Sequence, residues 1–184
     1  MDAEAELHQT LRDKLFQEIS QKAQLQMRNA SAREAIKGFQ LLRLSISPSF
    51  ENPRIWVLHQ KNLDFANSSE PQSFGVRQVM WDWKPDEQRV QNLLDDKIKR
   101  LRYRHGKFEE PEPTIEILDK VLDSDAVKTW FDQFRNLRIP LDIEMPNMGG
   151  ADGTSFTLEV CNNHMWSVTL SWWSHQPSEW MALR

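Results

Sequence analysis

Between Ser155 and Trp172 the sequence alternates polar and apolar residues twice over, and no other stretch restricts the fold as much. Phe156, Leu158 and Val160 alternate with Ser155, Thr157 and Glu159. Trp166, Val168, Leu170 and Trp172 alternate with Ser167, Thr169 and Ser171. Successive side chains of a strand point to opposite faces, so each run describes a strand with one dry and one wet face. Asn162-Asn163-His164 separates them with turn-forming residues, and the whole predicts an antiparallel hairpin. The alternation turns Phe156, Leu158, Val160, Trp166, Val168, Leu170 and Trp172 toward a core. Trp173 breaks it and falls on the polar face.

Upstream, Asp2 to Lys37 contains neither Gly nor Pro and is rich in good helix formers. Leu7, Leu11, Leu15, Ile19, Ala23 and Met27 recur at every fourth position. A helix turns once in about 3.6 residues, so this stripe drifts by about 40° at each step. An amphipathic helix resting on its own domain fits the pattern, and an oligomerisation arm is the alternative. The drift suggests divided packing, which sets residues 1–37 apart as an N-terminal helix ahead of an α+β domain at 38–184. On this reading, removal of residues 1–37 leaves a folded but less stable or less oligomeric core.

Phe39–Ser47, Arg54–Gln60 and Gly75–Trp83 read as strands, with Val79, Trp81 and Trp83 on one face. A helix opens at Pro85, and Val90, Leu93, Leu94, Ile98 and Leu101 form its apolar side. Thr114–Leu122 suits strand or helix and reads better as a strand. Asp123 or Ser124 caps a further helix whose buried stripe is Val127, Trp130, Phe131, Phe134 and Leu137. Strands and helices come in clusters joined by hairpin-compatible turns. The expected class is therefore α+β: a mostly antiparallel sheet with helices packed on one face, preceded by the long N-terminal helix.

The chemistry of the chain is sparse. Its one cysteine, Cys161, excludes an internal disulfide. The acidic, polar start is unlike a signal peptide, and no apolar run approaches the ~20 residues of a membrane span, so the expectation is a cytoplasmic protein with no membrane partner. A net charge of −4 argues against nucleic acid. The basic run from Lys97 to Lys107 is followed at once by Glu109, Glu110 and Glu112, which can neutralise it. Cys161 and His164 have a C-x2-H spacing with no second ligand pair, and Gly149-Gly150-Ala151-Asp152-Gly153 lacks the Lys-Ser/Thr of a phosphate loop. No metal or organic cofactor is expected. Cys161 also lacks the flanking motif of an activated nucleophile.

Ile139–Leu183 holds Asp142, Glu144, Asp152, Glu159 and Glu179 without a Lys or Arg, interspersed with Trp166, Trp172, Trp173 and Trp180. Acidic charge around aromatic anchors suits a basic protein surface. The candidate partner-binding residues are Asp152, Glu159, Trp173, Glu179 and Trp180. This segment resembles the C-terminal half of immunity proteins of bacterial polymorphic toxin systems. The resemblance rests on Asp152-Gly153 opening a hairpin, Trp172-Trp173 closing a strand, and Pro177 and Trp180 beyond it, about a quarter of the chain. It implies a non-enzymatic protein-binding domain that occludes a toxin. Another class of reading is an accessory or assembly subunit of a larger complex, joined, or self-associated, through residues 1–37. A third is an enzyme with a dispersed site.

Overall fold

The computed structural model describes residues 3–36, 38–49, 51–61, 73–96, 111–135, 153–162 and 166–173. In chain order these form α1 (Ala3–Ala30), α2 (Arg33–Ile36), β1 (Gly38–Pro48), β2 (Arg54–Lys61), β3 (Phe74–Trp81), α3 (Trp83–Asp95), β4 (Ile115–Leu122), α4 (Ser124–Arg135), β5 (Thr154–Asn162) and β6 (Trp166–Trp173). The strands make one sheet in the order β4-β3-β2-β1-β5-β6, and every neighbouring pair is antiparallel. The fold is α+β, as the pattern of elements requires. The C-terminal hairpin is present with Phe156 opposite Trp172, Leu158 opposite Leu170 and Val160 opposite Val168. Its turn lies outside the described residues. The segment before Asp123 is a strand, β4.

Cross-strand partners share a face, so the register sorts the sheet into two sides. On the first side Ile55, Val57, Val79 and Trp81 meet Leu11, Leu15, Ile19, Ala23 and Met27 of α1, Ile36 of α2, and Val90, Leu93 and Leu94 of α3 in one buried cluster. The four-residue stripe of α1 is thus part of the same core as the sheet. Removal of residues 1–37 would take away one wall of this cluster. Arg77 reinforces the join. Its Nε and Nη2 each donate to the Asp119 carboxylate at 2.7 Å, and its Nη1 donates to the carbonyls of Ala30 and Ala35 at 3.1 and 3.0 Å. One guanidinium therefore ties β3 and β4 to the carbonyl ends of α1 and α2, where the helix dipole is negative.

A second polar lock fixes α3. Asp86 is fully buried in its first turn and accepts hydrogen bonds from Trp81 Nε1 at 2.6 Å, from the Thr114 N–H at 3.0 Å, from Thr114 Oγ1 at 2.7 Å, and from Arg89. Burial alone would raise the carboxyl's pKa, but these donors outweigh it and hold the group below the ordinary carboxylate range. The end of β3, the start of α3 and the entry to β4 meet on one side chain.

Two details differ from the sequence reading. Trp83 opens α3 rather than closing β3; Pro85 sits in the first helical turn, where a missing N–H leaves no bond unmade. Trp83 then meets Phe16 of α1 edge to face, ring centres 6.3 Å apart. Second, α1 and α3 share one side of the sheet, whereas α4 begins on the other. That second side carries Leu42, Leu44, Trp56, Leu58 and Val76, which also require cover, and Val127 of α4 is buried toward them. Asp123, not Ser124, caps α4, its Oδ1 accepting the Ala126 N–H at 2.8 Å.

Ile19 is fully buried at the middle of the α1 stripe. Ile19→Ala is expected to cost about 2–5 kcal/mol of unfolding free energy, the usual range for such truncations, read from urea denaturation. A chain lacking residues 1–30 is expected to show no cooperative transition by circular dichroism; a cooperative transition near that of the full chain would mean that α1 is dispensable.

Candidate protein-docking surface

Among the described residues, the outer half of the sheet, β1, β5 and β6, supplies no member of the buried cluster beneath α1. Its second side is nonetheless apolar. Leu42, Leu44 and Ile46 of β1 stand in register with Val160, Leu158 and Phe156 of β5, and these with Val168, Leu170 and Trp172 of β6. Phe156 and Trp172 stack with ring centres 5.2 Å apart and planes within 6°. Leu158 is buried, Phe156, Leu170 and Trp172 are half-buried, and Val168 is 42% exposed.

This face runs into a groove of about 360 Å³ where α4 crosses the sheet. Leu42, Leu44, Trp56, Leu58 and Val76 form its floor side, and Ala126, Val127 and Trp130 come from the helix. Among its lining residues Asp123 alone is charged, and its carboxylate is already engaged in capping α4. A concave, apolar site of this volume accommodates one or two large side chains or a small apolar molecule.

The opposite face of the outer half is polar: Arg43, Ser45 and Ser47 on β1, Ser155, Thr157 and Glu159 on β5, and Ser167, Thr169 and Ser171 on β6. Thr157 and Ser171 hydroxyls are bonded across it at 3.2 Å. The sequence-predicted partner residues fall here or beyond the described chain. Glu159 lies in β5, directly opposite Arg43 on one side and Thr169 on the other. The sequence placed no cation near the acidic residues of this segment; the fold supplies Arg43, from more than a hundred positions away, and Glu159 is not an isolated charge. Trp173 stands at the end of β6 opposite Ser155, the polar-face position that alternation assigned to it. Its side chain, and Asp152, Glu179 and Trp180, lie outside the described residues, as do the basic run 97–107 and His164. No signal in the local sequence marked the β1–α4 groove, because its two walls are far apart in the chain.

His59 is a second buried titratable group, besides Asp86, among the described residues. It is 6% exposed, in β2, between Gly38 of β1 and Gly75 of β3. A Cβ on Gly75 would stand 2.8 Å from His59 Cε1 and Nε2, so the imidazole occupies space that only glycine leaves open. Its Nδ1 has no hydrogen-bond partner among the described residues. Burial is the main cause that pushes its pKa below the ordinary value; Asp119 opposes this, and Arg77 and Lys61 add to it. Cys161 is two strands away, with β1 between, and accepts from Gln40 Nε2 at 3.5 Å. Strands lie about 4.8 Å apart, so the thiol and imidazole are separated by roughly 10 Å, too far for direct proton transfer. Burial, then Glu159, pushes the thiol's pKa up, away from thiolate.

Among the described residues no three His, Cys, Asp or Glu side chains are grouped to hold a metal ion, and no helix is long and apolar enough to cross a membrane. No protein family matches the chain, and comparison with curated proteins and with solved structures gives no match either.

Unfolded, His59 takes up a proton near pH 6.5; folded, it does so only at lower pH. Below about pH 6.5 the unfolded chain therefore binds more protons at this site, and stability falls with falling pH. Unfolded Asp protonates near pH 3.9, so Asp86 and Asp119 do not interfere in that window. Thermal melts of the wild type and of His59→Gln from pH 7.5 to 5 are expected to show a shallower acid decline in the variant. Parallel declines would mean that His59 protonates in the folded chain as it does in the unfolded one.

Proposed function

We propose that the protein is a non-enzymatic protein-binding domain that docks a partner on the apolar side of β1, β5 and β6, with an anchor side chain seated in the groove under α4. The observation that carries this reading is the groove: eight of the residues named along its walls are apolar, and it continues into an exposed Val168 at the sheet's margin. Binding energy at protein interfaces concentrates where a large side chain fills a desolvated pocket, and a groove of this chemistry suits that role. The isolation of Cys161 from His59, and the raised thiol, favour a structural part for both.

The more specific form of the proposal is an immunity-type protein that covers a toxin. It rests on the hairpin bearing Gly153, Trp172 and Trp173, and on net negative charge, which speeds encounter with a basic partner. Assembly through the α1 stripe draws less support, since Leu11, Leu15, Ile19, Ala23 and Met27 are consumed in the chain's own core.

Ala126 is exposed on α4 and lines the groove, so Ala126→Arg fills it without disturbing the core. The variant is expected to melt within a few degrees of the wild type and to bind the partner at least tenfold more weakly by calorimetry, about 1.4 kcal/mol or more. Gln21→Arg, on the far side of the sheet, serves as the control. Undiminished binding by Ala126→Arg would remove the groove from the interface. In the immunity case, co-expression with the cognate toxin tests the same pair of chains, protection being lost with Ala126→Arg and kept with Gln21→Arg.

A further inference from the structure

β4 and β6 are the two edges of the described sheet, and they differ sharply in chemistry. β4 carries Glu116, Asp119 and Lys120, the charges with which natural proteins discourage edge-to-edge pairing. β6 reads Trp166-Ser167-Val168-Thr169-Leu170-Ser171-Trp172-Trp173 and contains no charge, no proline and no glycine. Its ladder to β5 runs through eight consecutive pairs without a bulge, so no bulge turns this uncharged edge away. Ser167, Val168, Thr169 and Ser171 are exposed. No strand neighbours its outer backbone among the described residues.

The sequence of β6 has a further property. Trp166 to Trp172 is a palindrome about Thr169 but for one aliphatic exchange: Trp, Ser, Val, Thr, Leu, Ser, Trp. We propose that β6 pairs with β6 of a second copy of this chain, antiparallel about a twofold axis through Thr169, joining two six-stranded sheets into one of twelve. A twofold interface must be self-complementary, and in an antiparallel pair the residues opposite each other share a face. With Thr169 opposite Thr169 of the second copy, Ser167 meets Ser171, Val168 meets Leu170, and Trp166 stands at the register position of Trp172. Each position finds its own chemical kind, and the apolar and polar faces continue unbroken across the joint. A slip of one residue would set the polar face of one copy against the apolar face of the other. A slip of two in either direction loses the match at the ends.

Charge does not oppose this pairing. The acidic residue nearest the joint in the described strands is Glu159, on β5 opposite Thr169. In the dimer the two Glu159 residues are separated by three strand spacings, roughly 14 Å. That exceeds the Debye length of about 8 Å at physiological salt, so their repulsion is largely screened. Val168, 42% exposed in the single chain, gains Leu170 of the second copy as a cross-strand neighbour. This association uses the backbone edge of β6 and not the α4 groove, and its test does not require the proposed docking function, although both involve Val168.

The test uses the full chain and the symmetry itself. Thr169 is exposed, so Thr169→Lys is compatible with the single chain's fold, and Thr169→Glu adds one exposed like-charge pair with Glu159 of β5; each sets two like charges face to face at the axis. Sedimentation equilibrium from about 1 to about 200 μM, a span wide enough to bracket ordinary dimer affinities, is expected to give twice the chain mass for the wild type and one chain mass for either variant, with a tenfold or greater rise in the dimer's Kd. An equimolar mixture of the two variants is expected to recover the dimer, because an ammonium then faces a carboxylate at the axis. Should either variant lose its circular dichroism spectrum, the pair Ser167→Lys/Ser171→Lys and Ser167→Lys/Ser171→Glu asks the same question, the first carrying opposed like charges and the second opposed opposites. A wild type that stays monomeric throughout, a dimer indifferent to Thr169→Lys, or a mixture that remains monomeric would each overturn the proposal.

Discussion

Leu11, Leu15, Ile19, Ala23 and Met27 stand four apart on α1, and a row so spaced runs at roughly 26° to the helix axis. It cannot stay against one straight partner for the 28 residues of the helix. The chain resolves this by changing partners. Along the first half, His8 lies 3.8 Å from Asp95, Arg12 pairs with Glu87, and Phe16 meets Trp83, so α1 and α3 run antiparallel side by side. Along the second half, Gln26 donates to Glu112 at 3.0 Å, and the last carbonyls receive Arg77 from β3. The drifting stripe thus expresses divided packing, but both partners belong to the same chain. The buried cluster, the Arg77 clamp and the position of α3 over β3 all follow from that one oblique contact.

What the sequence made legible was local. Two alternating runs about a short polar turn leave little choice but a hairpin, and the register within it follows from the period of two. The helix of residues 3–30 and the strand character of β4 were legible for the same reason: propensity and periodicity act over neighbouring positions. Pairings made across the chain left no such trace. β1 joins β5 through more than a hundred intervening residues, and nothing in Leu42-Arg43-Leu44 announces Val160-Glu159-Leu158 as its neighbour. This is why Glu159 read as an unpaired acid, and why the groove between β1, β2, β3 and α4 escaped notice. Gly38 and Gly75 are similar. Gly75 reads alone as the start of a strand, and only the sheet shows that both glycines flank one imidazole.

The core is strongly one-sided. Among the described residues, the members of its main cluster come from α1, α2, β2, β3 and α3, while Leu158 of β5 is buried on the other side of the sheet. Stability is generally uneven across a fold, and elements with fewer core contacts open at lower free energy. Here the inner half of the sheet holds the structure together on one side while the outer half presents surfaces on both. Substitutions at Val168, Leu170 or Trp172 can change what the outer half touches without disturbing Ile19 or Val57.

That separation bears on how an uncharged edge can persist. An apolar–polar strand at a sheet margin invites indiscriminate pairing, and proteins ordinarily answer with a charge or a proline. β4 follows that rule, with Asp119 held by Arg77 and Lys120 beside it. β6 departs from it over its whole length, although its outward polar positions Ser167, Thr169 and Ser171 are exposed. A palindrome supplies a reason. In the proposed antiparallel pairing, a second copy matches β6 in kind at seven successive positions, Trp166 to Trp172. Selectivity then comes from the sequence of the edge itself, in place of the repulsive charges that guard the other margin.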